Sequence, residues 1–141
     1  MRFLIVEDDF TSRRMLQMFL AAHGECDVAV NGREALAAVA MAQAEHRPYA
    51  LICLDVMMPE LDGMAVLKEI RAQEKQAGVP QHREVKIVMT TSLDSPRDVV
   101  DAYYRGGCNG YLVKPVDKRI LDDLLREYGL TATEQASYEG A

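Results

Sequence analysis

Short apolar runs alternate with amphipathic segments through most of this chain, and that alternation restricts the folds it can form. Five runs have the composition of strands, and most are continuous hydrophobic stretches, as expected for strands covered on both faces. They span residues 3–6, 26–30, 49–54, 85–89 and 111–113. Strands separated by helices form a parallel sheet with helices on both faces, joined by right-handed crossovers. We therefore predict an α/β fold with a five-stranded sheet in the flavodoxin-like order 2-1-3-4-5, flanked by five helices.

The segments between and after these runs carry the i, i+3, i+4 spacing of amphipathic helices. Asn31 and Glu34 form a capping box at the start of the second helix, Ser95-Pro96 opens the fourth and Asp117 opens the fifth. Inward-facing positions are predicted at Met15, Leu16, Phe19 and Leu20 of the first helix, Leu36, Val39 and Ala40 of the second, Met64, Leu67 and Ile70 of the third, and Ile120, Leu121, Leu124 and Leu125 of the fifth.

Charge and cysteine content narrow the class of protein. The 141 residues suffice for one domain, and they hold 22 acidic against 16 basic residues, a net charge of −6. Nucleic acids and anionic membranes need a basic surface, so neither is expected as the main partner. The three cysteines are scattered without zinc-site spacing, and no apolar stretch approaches about 20 residues, so we expect neither a signal peptide nor a membrane span. We expect a cytoplasmic protein with reduced cysteines.

Acidic residues follow two strands that are predicted neighbours. The first strand ends in Glu7-Asp8-Asp9 and the third in Asp55. In open parallel sheets, ligands bind beyond the carboxyl ends of the strands, at the point where the strand order reverses. Neighbouring strands lie roughly 5 Å apart, so these carboxylates should converge and repel one another unless a cation compensates them. Mg²⁺ is the natural choice because it prefers oxygen ligands.

Two further groups are expected at the same edge. The fifth strand ends at Lys114 and the fourth ends in Thr90-Thr91-Ser92. Carboxylates, a divalent cation, an ammonium and hydroxyls around one pocket are typical of phosphoryl transfer, which depends on positioning and charge neutralisation. Asp55 would be the nucleophile and would form an acyl phosphate.

In these motifs the chain resembles the receiver domains of two-component response regulators. The matching segments, in chain order, are Phe3-Leu4-Ile5-Val6-Glu7-Asp8, Leu54-Asp55-Val56-Met57-Met58-Pro59, Leu61-Asp62-Gly63, Met89-Thr90-Thr91-Ser92 and Tyr111-Leu112-Val113-Lys114-Pro115. Each motif alone is moderately specific, but five in this order at strand ends are highly specific.

The resemblance implies a role for each matching residue in the metal site and acceptor. Asp55 is the expected phosphoacceptor, converted to 4-aspartylphosphate. Glu7 and Asp8 are the expected acidic pair that holds Mg²⁺ with Asp55, and the backbone carbonyl of Met57 completes the metal site. Asp9 is then a neighbour of the site and not a ligand.

The resemblance also implies a switch. Thr91 matches the hydroxyl that follows the phosphoryl group, and Lys114 matches the lysine that pairs with the phosphoryl oxygens. Tyr111 matches an aromatic residue whose ring turns inward when the threonine shifts. Lys114-Pro115 resembles a bond that is usually cis in this family, and Arg13 matches a common basic position.

The expected organisation is a receiver domain over residues 1–128 and a polar tail over residues 129–141, with no output domain. The resemblance implies a sensor histidine kinase or a phosphotransfer protein as phosphodonor and another protein as target. Such a receiver catalyses its own phosphorylation and dephosphorylation but turns over no free substrate, so we do not expect an enzyme in the usual sense.

Three alternatives share part of this pattern. A haloacid-dehalogenase-type phosphatase needs a second aspartate two residues after the nucleophile, where this chain has Met57. A flavodoxin-like flavin carrier needs a phosphate-binding loop after the first strand, where the acidic run would repel phosphate. A phosphate-independent interaction module of the same fold would have lost some of the site residues, all of which are present here.

Overall fold

The computed structural model describes residues 1–58, 61–92 and 107–131. The described part contains five strands and four α-helices, with a 3₁₀ turn at Gln81–Arg83. The strands are β1 (Arg2–Val6), β2 (Glu25–Ala29), β3 (Leu51–Asp55), β4 (Lys86–Thr91) and β5 (Gly110–Val113). The helices are α1 (Phe10–Leu20), α2 (Gly32–Ala44), α3 (Gly63–Gln76) and α4 (Lys118–Glu127).

The sheet has the predicted topology. All four strand pairs are parallel, and the order is β2-β1-β3-β4-β5. The reversal of strand order lies between β1 and β3, so the carboxyl ends of these two strands flank the expected ligand site. Four of the five predicted helices are present, and the helix predicted to begin at Ser95 falls on residues 93–106, outside the described part.

Side-chain caps fix where the helices begin. The four N-cap residues are Asp9, Asn31, Asp62 and Asp117, and each accepts a hydrogen bond from a backbone N–H in the first turn of its helix. The predicted capping pair at α2 is formed with one difference. Asn31 accepts from the Glu34 N–H, but the Glu34 carboxylate accepts from the N–H of Val30, the residue before the cap.

The core has one hydrophobic cluster on each face of the sheet. Alternate residues of a strand point to opposite faces, so Leu4 and Ile52 pack under α2 and α3, while Ile5 and Cys53 pack under α1 and α4. The Cys53 side chain is fully buried and reduced, as predicted. Among the described residues, no helix is long and apolar enough to span a membrane.

Two predicted core positions are wrong. Ala40 of α2 is exposed, because the buried stripe runs through Ala35, Val39 and Ala42, and Ala40 lies one residue, or about 100°, from Val39. Ile120 of α4 is 53% exposed, because Leu121 and Leu125 define the buried stripe of that helix. Both helices are present as predicted, but at these two positions the predicted buried face is rotated by about one residue.

Candidate functional site

The carboxyl ends of β1 and β3 bring three carboxylates together, as the sequence predicts. Val6 pairs with Leu54, so the next residues along, Glu7 and Asp55, lie side by side. The Glu7 N–H donates to the carbonyl of Ala29 at 3.0 Å and so keeps Glu7 in line with the sheet. One carboxylate oxygen each from Glu7, Asp8 and Asp55 lie within 4.8 Å of one another.

Burial differs sharply among the three acids. Glu7 is 0% exposed and Asp55 is 3% exposed, whereas Asp8 faces solvent. Burying carboxylates is costly unless they are paired or bound to a cation. Glu7 and Asp55 therefore form the buried part of the site, and Asp8 lies on its solvent-exposed side.

Lys114 neutralises part of this charge. Its ammonium Nζ lies 2.7 Å from Glu7 Oε2 and 3.3 Å from Asp55 Oδ1. Its backbone N–H donates to the Thr91 carbonyl at 2.8 Å, and the Lys114-Pro115 bond is cis, as the resemblance implied. One ammonium among three carboxylates leaves an excess of negative charge. The donor set consists of hard oxygens, so the residues present fit a divalent cation such as Mg²⁺.

Burial and mutual charge shift the pKa values at the site. Burial raises the pKa of Glu7 to about 7, and the Asp55 charge acts in the same direction against the Lys114 contact. Burial also raises the pKa of Asp55, although Lys114 and the Met57 N–H partly offset it. Burial alone would lower the pKa of Lys114, but the contacts with Glu7 and Asp55 outweigh it, and its pKa is raised.

Asp9 caps α1 with its side chain and contacts the acidic group through its backbone. Its Oδ2 accepts from the Ser12 N–H at 2.9 Å as the cap of α1, and that hydrogen bond holds the pKa of Asp9 below its usual value. Its own N–H donates to Glu7 Oε1 at 3.1 Å. The guanidinium of Arg13, one turn into α1, donates to the carbonyls of Glu7 and Asp8 at 3.1 and 3.4 Å. Both residues therefore orient the acidic loop.

The remaining predicted site residues are Met57, Thr91 and Tyr111. The Met57 N–H donates to Asp55 Oδ1 at 3.1 Å, while the Met57 side chain is 64% exposed. The Thr91 hydroxyl donates to the carbonyl of Ser92 at 3.2 Å. Tyr111 is 45% exposed, so its ring is not in the inward position that the switch would require. Their assigned roles, and that of the Met57 carbonyl as a ligand, stay predictions.

Two features of the site were not anticipated. Gly63 lies so close to the end of β3 that a Cβ there would collide with the Asp55 carbonyl, and its N–H donates to the Val56 carbonyl at 3.1 Å. The sequence presents Gly63 only as part of the Leu61-Asp62-Gly63 motif. The Lys114–Glu7 ion pair was also missed, because spacing along the chain does not show how far a lysine side chain reaches.

A cavity of about 440 Å³ lies away from this site. It is lined by residues near the amino ends of β3 and β4 and the last turns of α2 and α3, Tyr49 and Val85 among them. The acidic group and the cavity therefore occupy opposite edges of the sheet.

Comparison with known proteins agrees with this geometry. Residues 3–126 match the family model described as the response regulator receiver domain. The transcriptional regulatory protein SrrA of Staphylococcus aureus is 33% identical over 138 residues, covering 94% of this chain and 51% of SrrA. The hybrid signal transduction histidine kinase L of Dictyostelium discoideum is 28% identical, covering 94% of this chain and 8% of that protein. The chain thus spans about half, or far less, of these relatives.

Solved structures show the same fold. A chain from the co-crystal structure of the Saccharomyces cerevisiae histidine phosphotransfer protein Ypd1 with the receiver domain of its downstream response regulator Ssk1 superposes with a TM-score of 0.76. That match has 34% identity and covers 91% of this chain and 88% of the other. Chemotaxis protein CheY4 of Vibrio cholerae gives a TM-score of 0.71 at 30% identity, with coverage of 90% and 97%. The chain belongs to the response regulator receiver domain family of two-component signalling.

Proposed function

We propose that this protein accepts a phosphoryl group on Asp55 and signals through phosphorylation-dependent contacts with another protein. The observation that carries the proposal is the position of Asp55 at the end of β3. Its carboxylate is buried, the Lys114 ammonium contacts both it and Glu7, and it shares a cluster of oxygens with Glu7 and Asp8. A buried carboxylate beside an ammonium and other carboxylate oxygens is suited to nucleophilic attack on phosphorus.

The residues divide the chemistry between them. The Met57 N–H holds Asp55 Oδ1, which leaves the second carboxylate oxygen as the attacking atom. Glu7, Asp8 and Asp55, with the Met57 carbonyl, would hold Mg²⁺, which supplies positive charge to the transferring phosphoryl group. Lys114 supplies a second positive charge. The product is an acyl phosphate, and water later attacks it to return Asp55.

The phosphodonor is proposed to be a protein with a phosphohistidine. One structural relative is a receiver crystallised with a histidine phosphotransfer protein, and one sequence relative is a hybrid histidine kinase. A sensor histidine kinase or a phosphotransfer protein is therefore the expected donor, and a protein is the expected target. Nucleic acid and membrane are not proposed as partners, because the chain carries a net charge of −6.

The signal is proposed to travel through Thr91 and Tyr111. A phosphoryl group on Asp55 would draw the Thr91 hydroxyl from the Ser92 carbonyl and open space for the Tyr111 ring, which is exposed in this structure. Phosphorylation would thereby shift an existing equilibrium between two arrangements of the sheet edge.

Intact-protein mass tests the proposal. Wild type and Asp55→Asn are incubated with a small acyl-phosphate donor, with Mg²⁺ or with a chelator. We expect one phosphoryl adduct on wild type with Mg²⁺, and none on the variant or in chelator. Mg²⁺ binding by a protein that takes no adduct from this donor or from a phosphorylated phosphotransfer protein would instead favour the phosphate-independent module.

A further inference from the structure

Thr90 has a buried hydroxyl group that makes no hydrogen bond within the described part of the chain. The residue is 1% exposed, and its Oγ1 has no partner among the residues that the structure describes. A buried hydroxyl without a partner destabilises the protein relative to valine, which has the same shape and the higher strand preference. A hydrogen-bond partner for this atom in another state of the site would remove that cost.

The register of the sheet places Thr90 beside the acceptor. Thr90 pairs with Asp55 across β3 and β4, and paired residues of parallel strands point to the same face. Two residues earlier on these strands, Cys53 and Val88 pair with each other and belong to the cluster under α1 and α4. Glu7 follows Ile5, a member of the same cluster, by two residues. Glu7, Asp55 and Thr90 therefore form one row across three neighbouring strands.

The side chain of Lys114 crosses this row. Lys114 follows β5, and β4 separates β5 from β3 in the sheet. Its ammonium nevertheless contacts Asp55 and, one strand further, Glu7. β3 and β5 are roughly 10 Å apart, twice the spacing of neighbouring strands, so the lysine has to pass over β4. It follows Leu112, the register partner of Thr90, by two residues, so its side chain starts on the same face.

A cation at the acidic group would compete with the lysine. The oxygens that Lys114 contacts belong to Glu7 and Asp55, two of the three acids that can hold the cation. Two positive charges on the same oxygens repel each other, so the ammonium has to release Glu7. An ammonium has three N–H donors and a threonine hydroxyl has two lone pairs, so Thr90 Oγ1, on the strand beneath, can receive one of them.

We propose that Thr90 is a positioning residue whose hydroxyl oxygen accepts a hydrogen bond from the Lys114 ammonium in the cation-loaded site. The inference rests on the proposed function and gives it a residue that the sequence motifs do not assign. In this structure the Lys114 ammonium contacts Glu7 and Asp55, and Thr90 Oγ1 has no hydrogen-bond partner among the described residues. In the loaded form Thr90 keeps Lys114 over Asp55, where its charge is needed.

Mg²⁺ binding without any phosphodonor tests this role. Dissociation constants are measured by NMR titration of backbone amides for wild type, Thr90→Val, Thr90→Ala and Thr90→Ser, each also in a Lys114→Met background. Removal of the hydroxyl should weaken Mg²⁺ binding by about tenfold or more, the size of one hydrogen bond to a charged group. Thr90→Ser should bind within about twofold of wild type, because it keeps the oxygen. In the Lys114→Met background, Thr90→Val should have no further effect.

Three results would overturn the inference. They are equal Mg²⁺ affinities for wild type and Thr90→Val, a Thr90→Ser variant as weak as Thr90→Val, or a full Thr90→Val effect in the Lys114→Met background. Thermal unfolding without Mg²⁺ should show Thr90→Val at least as stable as wild type, since it removes an unpaired buried hydroxyl.

Phosphoryl uptake by the same wild-type sample separates the two proposals. Uptake with no effect of Thr90 refutes this inference alone, and the expected Thr90 pattern without uptake refutes the proposed function alone.

Discussion

At the residue scale, the site is two buried carboxylates and one ammonium whose charges are balanced only in part. The raised pKa values of Glu7 and Asp55 mean that the folded protein holds these protons more tightly than the unfolded chain does. The unfolding free energy therefore falls as the pH rises through the interval in which only the unfolded chain has lost them. For Glu7 that interval runs from the ordinary 4.5 to about 7.

We predict that stability measured by urea unfolding without divalent cations decreases between pH 5 and pH 7.5, and that Glu7→Gln flattens this decrease. The glutamine cannot ionise, so among the carboxyl groups in the described part of the chain Asp55 is the one with a raised pKa that still contributes in this direction. Asp27 and Asp122, whose pKa values are lowered, act in the opposite direction but only as the pH falls below 3.8. A Glu7→Gln variant with the wild-type slope would contradict the assigned cause.

Sequence alone predicts which of these residues meet, because strand order brings the ends of β1, β3 and β5 to one edge. It does not predict how they contact one another. The Lys114–Glu7 pair depends on a side chain that crosses a strand, and the close approach of Gly63 to Asp55 depends on the path of a loop. Thr90 and Thr91 both fit a strand, and only the register shows that Thr90 shares the face of Asp55.

At the scale of elements, strand positions are predicted within about two residues because buried strands are continuous apolar runs. The faces of α2 and α4 are predicted less well. Alanine is a weak signal of burial, and the adjacent apolar pair Ile120 and Leu121 fits either of two phases. The ion pair that anchors α3 was not predicted at all, because charged residues in a helix usually face solvent.

That anchor joins α3 to β4 and to the segment before β5. The Arg71 guanidinium contacts Glu74 Oε1 at 2.7 Å and donates to the carbonyls of Val85 and Gly107 at 2.9 and 3.0 Å. It also donates to the Asn109 side chain at 2.9 Å. The side chains of Arg71 and Glu74 are only 14% and 6% exposed. Loss of the arginine would leave a buried carboxylate short of its positive partner.

We predict that Arg71→Ala lowers the unfolding free energy by about 3 kcal/mol, as for other broken buried ion pairs. Arg71→Lys should lower the unfolding free energy by less than Arg71→Ala does, because lysine keeps the positive charge but not the planar guanidinium. Arg126→Ala is the matched control: Arg126 pairs with Asp123 at the same three-residue spacing, but these side chains are 64% and 72% exposed. Its loss should cost about 0.5 kcal/mol or less. Equal losses for Arg71→Ala and Arg126→Ala in urea unfolding would show that the network adds nothing beyond a surface pair.

At the scale of the whole molecule, one edge of the sheet carries concentrated negative charge, while apolar packing covers both faces. Anything that binds this edge in the folded protein and not in the unfolded chain stabilises the entire domain. A divalent cation bound at the acidic group would do so, and the relief of repulsion between the buried carboxylates would be part of its binding free energy. The stability of the fold and the occupancy of the site are therefore linked quantities.

We predict that Mg²⁺ at ten times its dissociation constant raises the unfolding free energy at pH 7.5 by about 1.4 kcal/mol, the value expected for one site. Asp8→Asn should abolish most of this gain while leaving the metal-free stability within about 0.5 kcal/mol of wild type, because Asp8 lies at the surface. Asp123→Asn is the matched control, because Asp123 is an acid of α4 that is 72% exposed and its pair with Arg126 lies at the surface; it should keep the full gain. Urea titrations with and without Mg²⁺ at constant ionic strength measure the difference. A gain of the same size in Asp8→Asn and Asp123→Asn would mean that Mg²⁺ acts through general screening of the net charge and not through the acidic group at the ends of β1 and β3.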